Sequence, residues 1–256
     1  MTLPQITAEQ IELFILIFLR VSAIIVTIPI VGNRAVPLRV KGGLAVVIAF
    51  LVFPFVTQTS VVFDILPLSL KMAGEVCIGI VIGLLGRFVF AGIQLAGQLI
   101  GFQMGFAIVN VVDPVSSSQV SIISQLQYLL AILIFLAVDG HHIFLFAIVE
   151  SFNTIPPLGF HFTGPLMEAI IELSKDVFMI AVKAGAPIIA ILLFTSVSLG
   201  MVARTVPQIN IFIVGFPLKI AVGLIGIGLT FPFFARMLGA IFANMDGRLK
   251  VLMDLM

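Results

Sequence analysis

Long apolar runs separated by short polar breaks extend along the whole chain. A helix that crosses the hydrocarbon core of a bilayer needs roughly 20 consecutive apolar residues. Seven apolar runs stand out, of which the second and fifth are short for a span: residues 11–31, 42–56, 68–109, 120–138, 143–152, 177–202 and 211–234. The pattern predicts an all-α protein of apolar helices and helical hairpins, in which the number of complete spans stays open.

A smaller amphipathic helix is predicted between the fifth and sixth runs. Gly164 and Pro165 suit a helix start, because proline is tolerated in the first turn. Leu166, Ile170 and Leu173 then fall on one helical face, whereas the charged residues of this segment lie elsewhere. We expect this helix to precede the sixth run as a separate element.

The amino-acid composition indicates that these apolar helices belong to a membrane protein. Of the 256 residues, 61% are hydrophobic and 10% are charged, whereas an ordinary soluble domain carries about 25% charged residues. The mean hydropathy is +1.29. So few polar side chains cannot cover the surface of a soluble domain. We therefore predict a polytopic membrane protein whose surface mostly contacts lipid or other apolar protein. The net charge of +1 also argues against a nucleic-acid partner, which requires clustered lysine and arginine.

Three glycines in the third run have a regular spacing. Gly97, Gly101 and Gly105 recur every four residues and therefore line one helical face, with Gln94 and Gln98 beside them. Small residues at this spacing let helix backbones approach closely, and glutamine can hydrogen-bond across such a contact. The pattern predicts an especially close helix partner, although ordinary helix packing also produces such pairs.

A polar break follows this glycine face, between two apolar helices. It contains Asn110, Asp113, Pro114 and three consecutive serines at 116–118. Polar backbone between apolar helices must lie in water, inside protein or along a cavity. Two interpretations stay open: a surface turn capped by Asp113, or a loop folded inward that blocks a passage.

Several ionisable residues lie inside apolar runs. Arg20, Glu75, Arg87, Lys183 and Lys219 are costly in lipid and should face an interior or a partner. Ion coupling in a transporter is one use for such residues. Because no run contains a cluster of paired acidic residues at helical spacing, we favour structural pairing.

The sequence offers little support for catalysis or metal binding. Asp139-Gly140-His141-His142 resembles a metal-binding sequence, but adjacent histidines do not share a helical face, and a turn between helices is favoured. Cys77 is the single cysteine, which excludes disulfides and cysteine metal clusters by count. Serine-histidine-aspartate sets, phosphate-binding loops and HExxH motifs are not found. We expect no catalytic, cofactor-binding or metal residues.

Two segments resemble a known protein family. They are GFQMGFAIVNVVDPVSSSQ at residues 101–119 and LGMVARTVPQINIFIVGFPLK at residues 199–219. Together they closely resemble the FliR family of flagellar export-gate proteins, called SctT in the related injectisomes. The similarity covers essentially the whole chain, and the GFPLK ending is more similar to the flagellar members.

The resemblance implies a subunit of the flagellar type III export gate, which is not an enzyme and needs no cofactor. Such proteins assemble with FliP and FliQ, associate with FlhB and admit unfolded flagellar proteins into the growing structure. The implied location is the bacterial inner membrane, as a multi-pass protein of the flagellar basal body. The chain would form one integral-membrane domain, with a FliP-like part at about residues 1–165 and a FliQ-like hairpin with the C-terminal tail at about 166–256.

The resemblance also implies two site segments. The segment matching residues 108–119 forms a plug loop inside the pore of the family, which here corresponds to Ile108, Val109, Asn110, Val111, Val112, Asp113, Pro114, Ser116, Ser117 and Ser118. The second segment resembles the cytoplasmic tip of the FliQ hairpin and contains Arg204, Pro207, Gln208 and Asn210.

Two other functions are compatible with an apolar helical chain. A secondary transporter for a small solute would show paired ionisable residues near the midplane and internal repeats, neither of which is clear. A purely structural scaffold could nucleate the gate while its partners do the gating.

Overall fold

The computed structural model describes residues 7–33, 35–56, 65–106, 121–208 and 210–256. These residues form helices joined by short turns, and no β-strand occurs among them. The helices are α1 (Ala8–Thr27), α2 (Leu38–Val52), a 3-10 turn (Phe53–Phe55), α3 (Ile65–Met104), α4 (Ile122–Ala137), α5 (Gly140–Thr154), α6 (Gly164–Thr205), α7 (Ile211–Ala243) and α8 (Met245–Asp254). The all-α prediction is confirmed.

Length and apolar composition also confirm the multi-pass prediction. Five stretches of the described chain are long and apolar enough to cross a membrane, and α4 with α5 gives a sixth if the two form one broken span. Two of these helices contain internal prolines and remain continuous. They are α6, with Pro187, and α7, with Pro217 and Pro232. Membrane helices tolerate internal proline because neighbouring groups satisfy the freed carbonyls.

The predicted start of a helix at residue 164 is confirmed, but the prediction that this helix is separate from the sixth apolar run is wrong. Helix α6 runs without interruption over Gly164–Thr205, so the amphipathic segment and the sixth apolar run are one helix of 42 residues. The residues that join them are Ser174, Lys175 and Asp176. They interrupt the apolar pattern, but they lack the proline or glycine that would break a helix.

The helices pack into two compact units. The first contains Met1–Phe88, Asp139–Leu173 and Ala243–Met256. In it α1 packs on α2 and α5 packs on α8. Gly79 and Gly83 of α3 lie so close to Ala23 and Thr27 of α1 that an added methyl group would clash.

The second unit contains Val89–Val138 and Ser174–Phe242. Its core includes a ring cluster in which Phe135 lies 5.8 Å from Phe90 and 5.0 Å from Phe242 between centroids. Ile100, Met104, Ile123, Ile188 and Leu192 form a further buried cluster. This division follows packing, so it does not test the predicted FliP-like and FliQ-like parts, and that prediction stays a prediction.

Candidate functional site

The glycine face of α3 packs directly on the start of α4. A methyl group on Gly97 would clash with the backbone of Ser124, and one on Gly101 would clash with the side chain of Ser121. Because backbone atoms block the space at Gly97, no side-chain adjustment could make room there. The two helices therefore approach closely along the face that the sequence indicates.

A hydrogen bond crosses the contact beside this face. Ser124 Oγ donates to the carbonyl oxygen of Gln94 at 2.9 Å, so the hydrogen bond across the contact uses the backbone of Gln94. The side chain of Gln98 is half-buried on the same helix. Ser124 therefore supplies a polar link between α3 and α4, and the predicted role of the glutamine side chains stays a prediction.

Gly105 ends α3 in a Schellman motif. Its φ of +93° is in the left-handed region that favours glycine. The Phe106 N–H donates to the Gly101 carbonyl and the Gly105 N–H donates to the Phe102 carbonyl, both at 3.1 Å. The ring of Phe216 covers Gly105, leaving no space for a side chain. The chain therefore leaves α3 in a fixed direction.

The predicted plug residues lie outside the described residues. They are Ile108, Val109, Asn110, Val111, Val112, Asp113, Pro114, Ser116, Ser117 and Ser118, within the segment 107–120. What the structure defines is the base of this segment, with Phe106 on one side and Ser121 on the other. Both ends are held against Gly101, by the Phe106 hydrogen bond and by the Ser121 side chain.

Of the four residues predicted at the hairpin tip, Arg204 lies in the last turn of α6, and Pro207, Gln208 and Asn210 lie in the connection to α7. Arg204, Pro207, Gln208 and Asn210 are all exposed. The Asn210 carbonyl accepts hydrogen bonds from the backbone N–H groups of Ile213 and Val214, at 3.1 and 3.3 Å, and so begins α7. The tip presents polar groups between two apolar helices.

A buried ion pair links α1 to α3. Arg20 Nε lies 2.6 Å from Glu75 Oε2, and both side chains are fully buried. The guanidinium carbon of Arg20 also lies 4.1 Å from the ring centroid of Phe152. The structural pairing predicted for these two residues is confirmed. Of the other ionisable residues in apolar runs, Arg87 and Lys183 are exposed and Lys219 is half-buried.

The same pair holds the irregular backbone that follows α5. Arg20 Nη1 donates to the carbonyls of Ser151 at 2.7 Å and Ile155 at 2.9 Å. Glu75 Oε1 accepts from the N–H of Leu158 at 2.8 Å, and Leu158 has a positive φ of 70°. Sequence reasoning misses these partners, because backbone groups at the end of a helix carry no side-chain signal.

The predicted turn between α4 and α5 is confined to Val138 and Asp139, and His141 and His142 lie in the first turn of α5. Asp139 has left-handed backbone angles, with φ 54° and ψ 26°. The two imidazole centroids are 4.2 Å apart, and His142 Nδ1 lies 3.7 Å from Asp139 Oδ1. Although adjacent histidines in a helix are expected to point apart, one candidate ligand atom from each histidine and one from Asp139 lie within 4.8 Å of one another.

Comparison with known proteins identifies the family. The model of "Bacterial export proteins, family 1" matches residues 11–245. The chain is similar to flagellar biosynthetic protein FliR of Bacillus subtilis strain 168, at 39% identity over 83% of each chain. It is also similar to the FliR proteins of Escherichia coli K12, at 34% identity over 90% of each chain, and of Pectobacterium carotovorum, at 35% identity over 84% of this chain and 82% of the relative. The chain therefore belongs to bacterial export protein family 1 and, within it, to the FliR family of flagellar biosynthetic proteins.

Proposed function

We propose that the chain is a non-enzymatic subunit of the gate through which unfolded flagellar proteins enter the export apparatus, in the bacterial inner membrane at the flagellar basal body. The observation that carries the proposal is the family match over residues 11–245, together with helices long and apolar enough to cross a membrane. The buried pair of Arg20 and Glu75 bonds backbone groups within this chain, as expected of a subunit that forms part of the wall of the gate.

We propose FliP-like and FliQ-like subunits as its direct neighbours, with an FlhB-like subunit associating with the assembled gate. The hairpin of α6 and α7 supports this proposal, because large apolar side chains such as Phe194, Val197, Ile225 and Leu229 are exposed along it. A face of this kind needs lipid or another protein to cover it. The same helices carry the charged Lys183, and a charged residue in an apolar helix favours a protein or aqueous neighbour over lipid.

We further propose that residues 108–118 form the plug that closes the conduit at rest. The support comes from the base of the segment, where Gly105 directs the chain out of α3 and Ser121 returns it against Gly101. A loop whose two ends are fixed at one place can occupy or leave a passage without disturbing the helices that carry it.

A small-solute transporter receives less support. Such a protein needs ionisable side chains that bind and release an ion or substrate near the midplane. The Arg20 and Glu75 side chains instead bond each other and the backbone of Ser151, Ile155 and Leu158. Groups engaged in this way hold the fold together and are poorly placed to exchange a ligand.

The plug is tested by deleting residues 111–117 and measuring small-ion leakage in cells that contain the complete export complex. We expect leakage to rise while the subunits still co-purify. A matched variant keeps the loop length but replaces residues 108–112 with serine. It separates loss of the sealing side chains from a shortened connection between α3 and α4, and we expect it to leak as well.

Unchanged leakage in both variants, with a fully assembled complex, would contradict the plug. Failure of assembly without leakage would instead support the structural scaffold. Secretion of flagellar proteins is measured in the same strains, so that loss of the whole gate is distinguished from loss of its closure.

A further inference from the structure

We infer that Asp139, His141 and His142 form a binding site for a divalent transition-metal ion, with Zn²⁺ as the best fit. Two imidazoles and one carboxylate are ligands that zinc commonly takes. Three protein ligands leave one tetrahedral position for water or for a group from a neighbouring molecule. The site lies at the turn between α4 and α5 and is independent of the proposed plug.

The first observation is the convergence of the ligand atoms. One candidate ligand atom from each of the three residues lies within 4.8 Å of the others. Nitrogen and oxygen ligands about 2.0–2.2 Å from a tetrahedral zinc are about 3.4 Å apart. The 3.7 Å between Asp139 Oδ1 and His142 Nδ1 is already near that separation. Small rotations of side chains at a partly exposed turn close the remaining gap.

The second observation is a buried nitrogen. Nδ1 of His141 is shielded from solvent and has no hydrogen-bond partner among the described residues. A buried polar atom without a partner is unfavourable, and a bound ion is one of the arrangements that satisfies such an atom. A cation bound beside His141 would give this imidazole a partner that the surrounding helices do not supply.

The backbone of the turn supports the same assignment. Asp139 precedes α5 at the position where an aspartate usually accepts a hydrogen bond from the first turn of the helix, yet its side chain makes no capping bond. Its left-handed conformation directs the carboxylate towards His142, and the His142 N–H donates to the Asp139 carbonyl at 2.9 Å. The carboxylate is therefore held beside the imidazoles.

The test uses the complete export complex, purified without a histidine tag, stripped with a chelator and dialysed against Zn²⁺. Bound zinc is measured by elemental analysis and titration calorimetry. We expect zinc stoichiometric with this chain in the wild-type complex. Asp139→Asn and the double variant His141→Gln/His142→Gln should lose it. His161→Gln is the matched control, because His161 is the third histidine of the sequence and lies outside the cluster.

Equal zinc content in the wild type and in an assembled Asp139→Asn or double-histidine variant would overturn the inference. A second measurement needs no variant and therefore does not depend on assembly. Zn²⁺ should protect His141 and His142 of the wild-type complex from diethyl pyrocarbonate while His161 continues to react. Equal modification of His141 and His142 with and without Zn²⁺ would also overturn it.

Discussion

At the scale of single residues, the buried pair of Arg20 and Glu75 bonds backbone groups at the end of α5 and just after it. Arg20 and Glu75 together bond two carbonyls and one N–H in the segment 151–158. Irregular backbone inside an apolar assembly requires such partners, because neither water nor lipid can replace them there. The ion pair is therefore the structural link between α1, α3 and the end of α5.

Replacing Arg20 with methionine should destabilise the first unit strongly. The change leaves the Glu75 carboxylate buried without its counter-ion and removes the donors to Ser151 and Ile155. Removal of one partner of a buried pair costs roughly 3–5 kcal/mol. The measurement is denaturant or thermal unfolding of the purified complex in detergent.

The matched control is Arg87→Met, which removes an exposed arginine from α3. A double variant, Arg20→Met with Glu75→Met, should recover part of the loss, because no unpaired charge remains. Recovery should be incomplete, since the backbone groups of residues 151–158 still lack their partners. Equal stability of Arg20→Met and Arg87→Met would contradict the structural role of the pair.

Replacing Gly97 with alanine should weaken the contact between α3 and α4. The added methyl group meets the backbone of Ser124, and overpacking of a well-packed site costs roughly 1–3 kcal/mol. Gly247→Ala in α8 is the control, because open space surrounds that glycine and alanine favours helix. The effect of each substitution on helix packing is measured as the resistance of the complex to proteolysis. A Gly97→Ala protein as resistant as the control would show that the helices are less closely packed than described.

At the scale of elements, short capping motifs set where α1 begins and where α3 ends. Thr7 and Gln10 form a capping box at the start of α1, with each side chain bonding the backbone of the other residue. Gly105 closes α3 with its positive φ. At the α1–α2 connection, Lys41 Nζ reaches back from α2 to the carbonyls of Gly32 and Asn33, each at 2.9 Å.

Replacing Lys41 with methionine should loosen the connection between α1 and α2. The side chain is 7% exposed, so the two carbonyls lose a charged donor with little water to replace it. A hydrogen bond to a charged group contributes about 1.5–3 kcal/mol. Hydrogen exchange of the amides near residue 33 measures the change. Arg39→Met, at an exposed position of the same helix, should leave exchange unaltered, and faster exchange in both variants would contradict the specific role of Lys41.

At the scale of the whole molecule, the exposed apolar side chains dominate the behaviour of the chain. Large hydrophobic residues are exposed on helices of both units, among them Phe50 and Phe55 in the first and Phe194 and Leu229 in the second. A soluble monomer rarely exposes contiguous apolar patches of more than a few hundred Å². Lipid and neighbouring subunits must therefore cover this surface.

We expect the chain to depend on its partners for a stable, homogeneous state. Expressed alone, it should self-associate or be degraded, because partner-facing apolar surface stays uncovered. Expressed together with FliP-like and FliQ-like subunits, it should elute in detergent as one particle. Size-exclusion chromatography with mass analysis distinguishes the two cases. A monodisperse, long-lived monomer of the isolated chain would contradict the proposed assembly.

Much of the fold follows from local pattern, whereas the buried ion pair of Arg20 and Glu75 depends on a contact between distant residues. The apolar runs predict the helices, and the glycine spacing indicates the face of α3 that meets α4. The continuity of α6 does not follow from the apolar pattern, because the polar residues Ser174, Lys175 and Asp176 interrupt that pattern without breaking the helix. The sequence places Asp139, His141 and His142 close together along the chain but does not predict that their ligand atoms converge, because the left-handed backbone of Asp139 carries no sequence signal.

The sequence by itself determined that this protein is a helical membrane protein of the FliR family. Hydropathy is a sum over neighbouring residues, and the family motifs are continuous segments, so both are readable without coordinates. Tertiary structure alone decided that Arg20 pairs with Glu75, 55 positions away, and bonds the carbonyl of Ser151, 131 positions away. Such pairings arise when packed helices bring distant groups together. The burial that strengthens them exists only once the chain has folded.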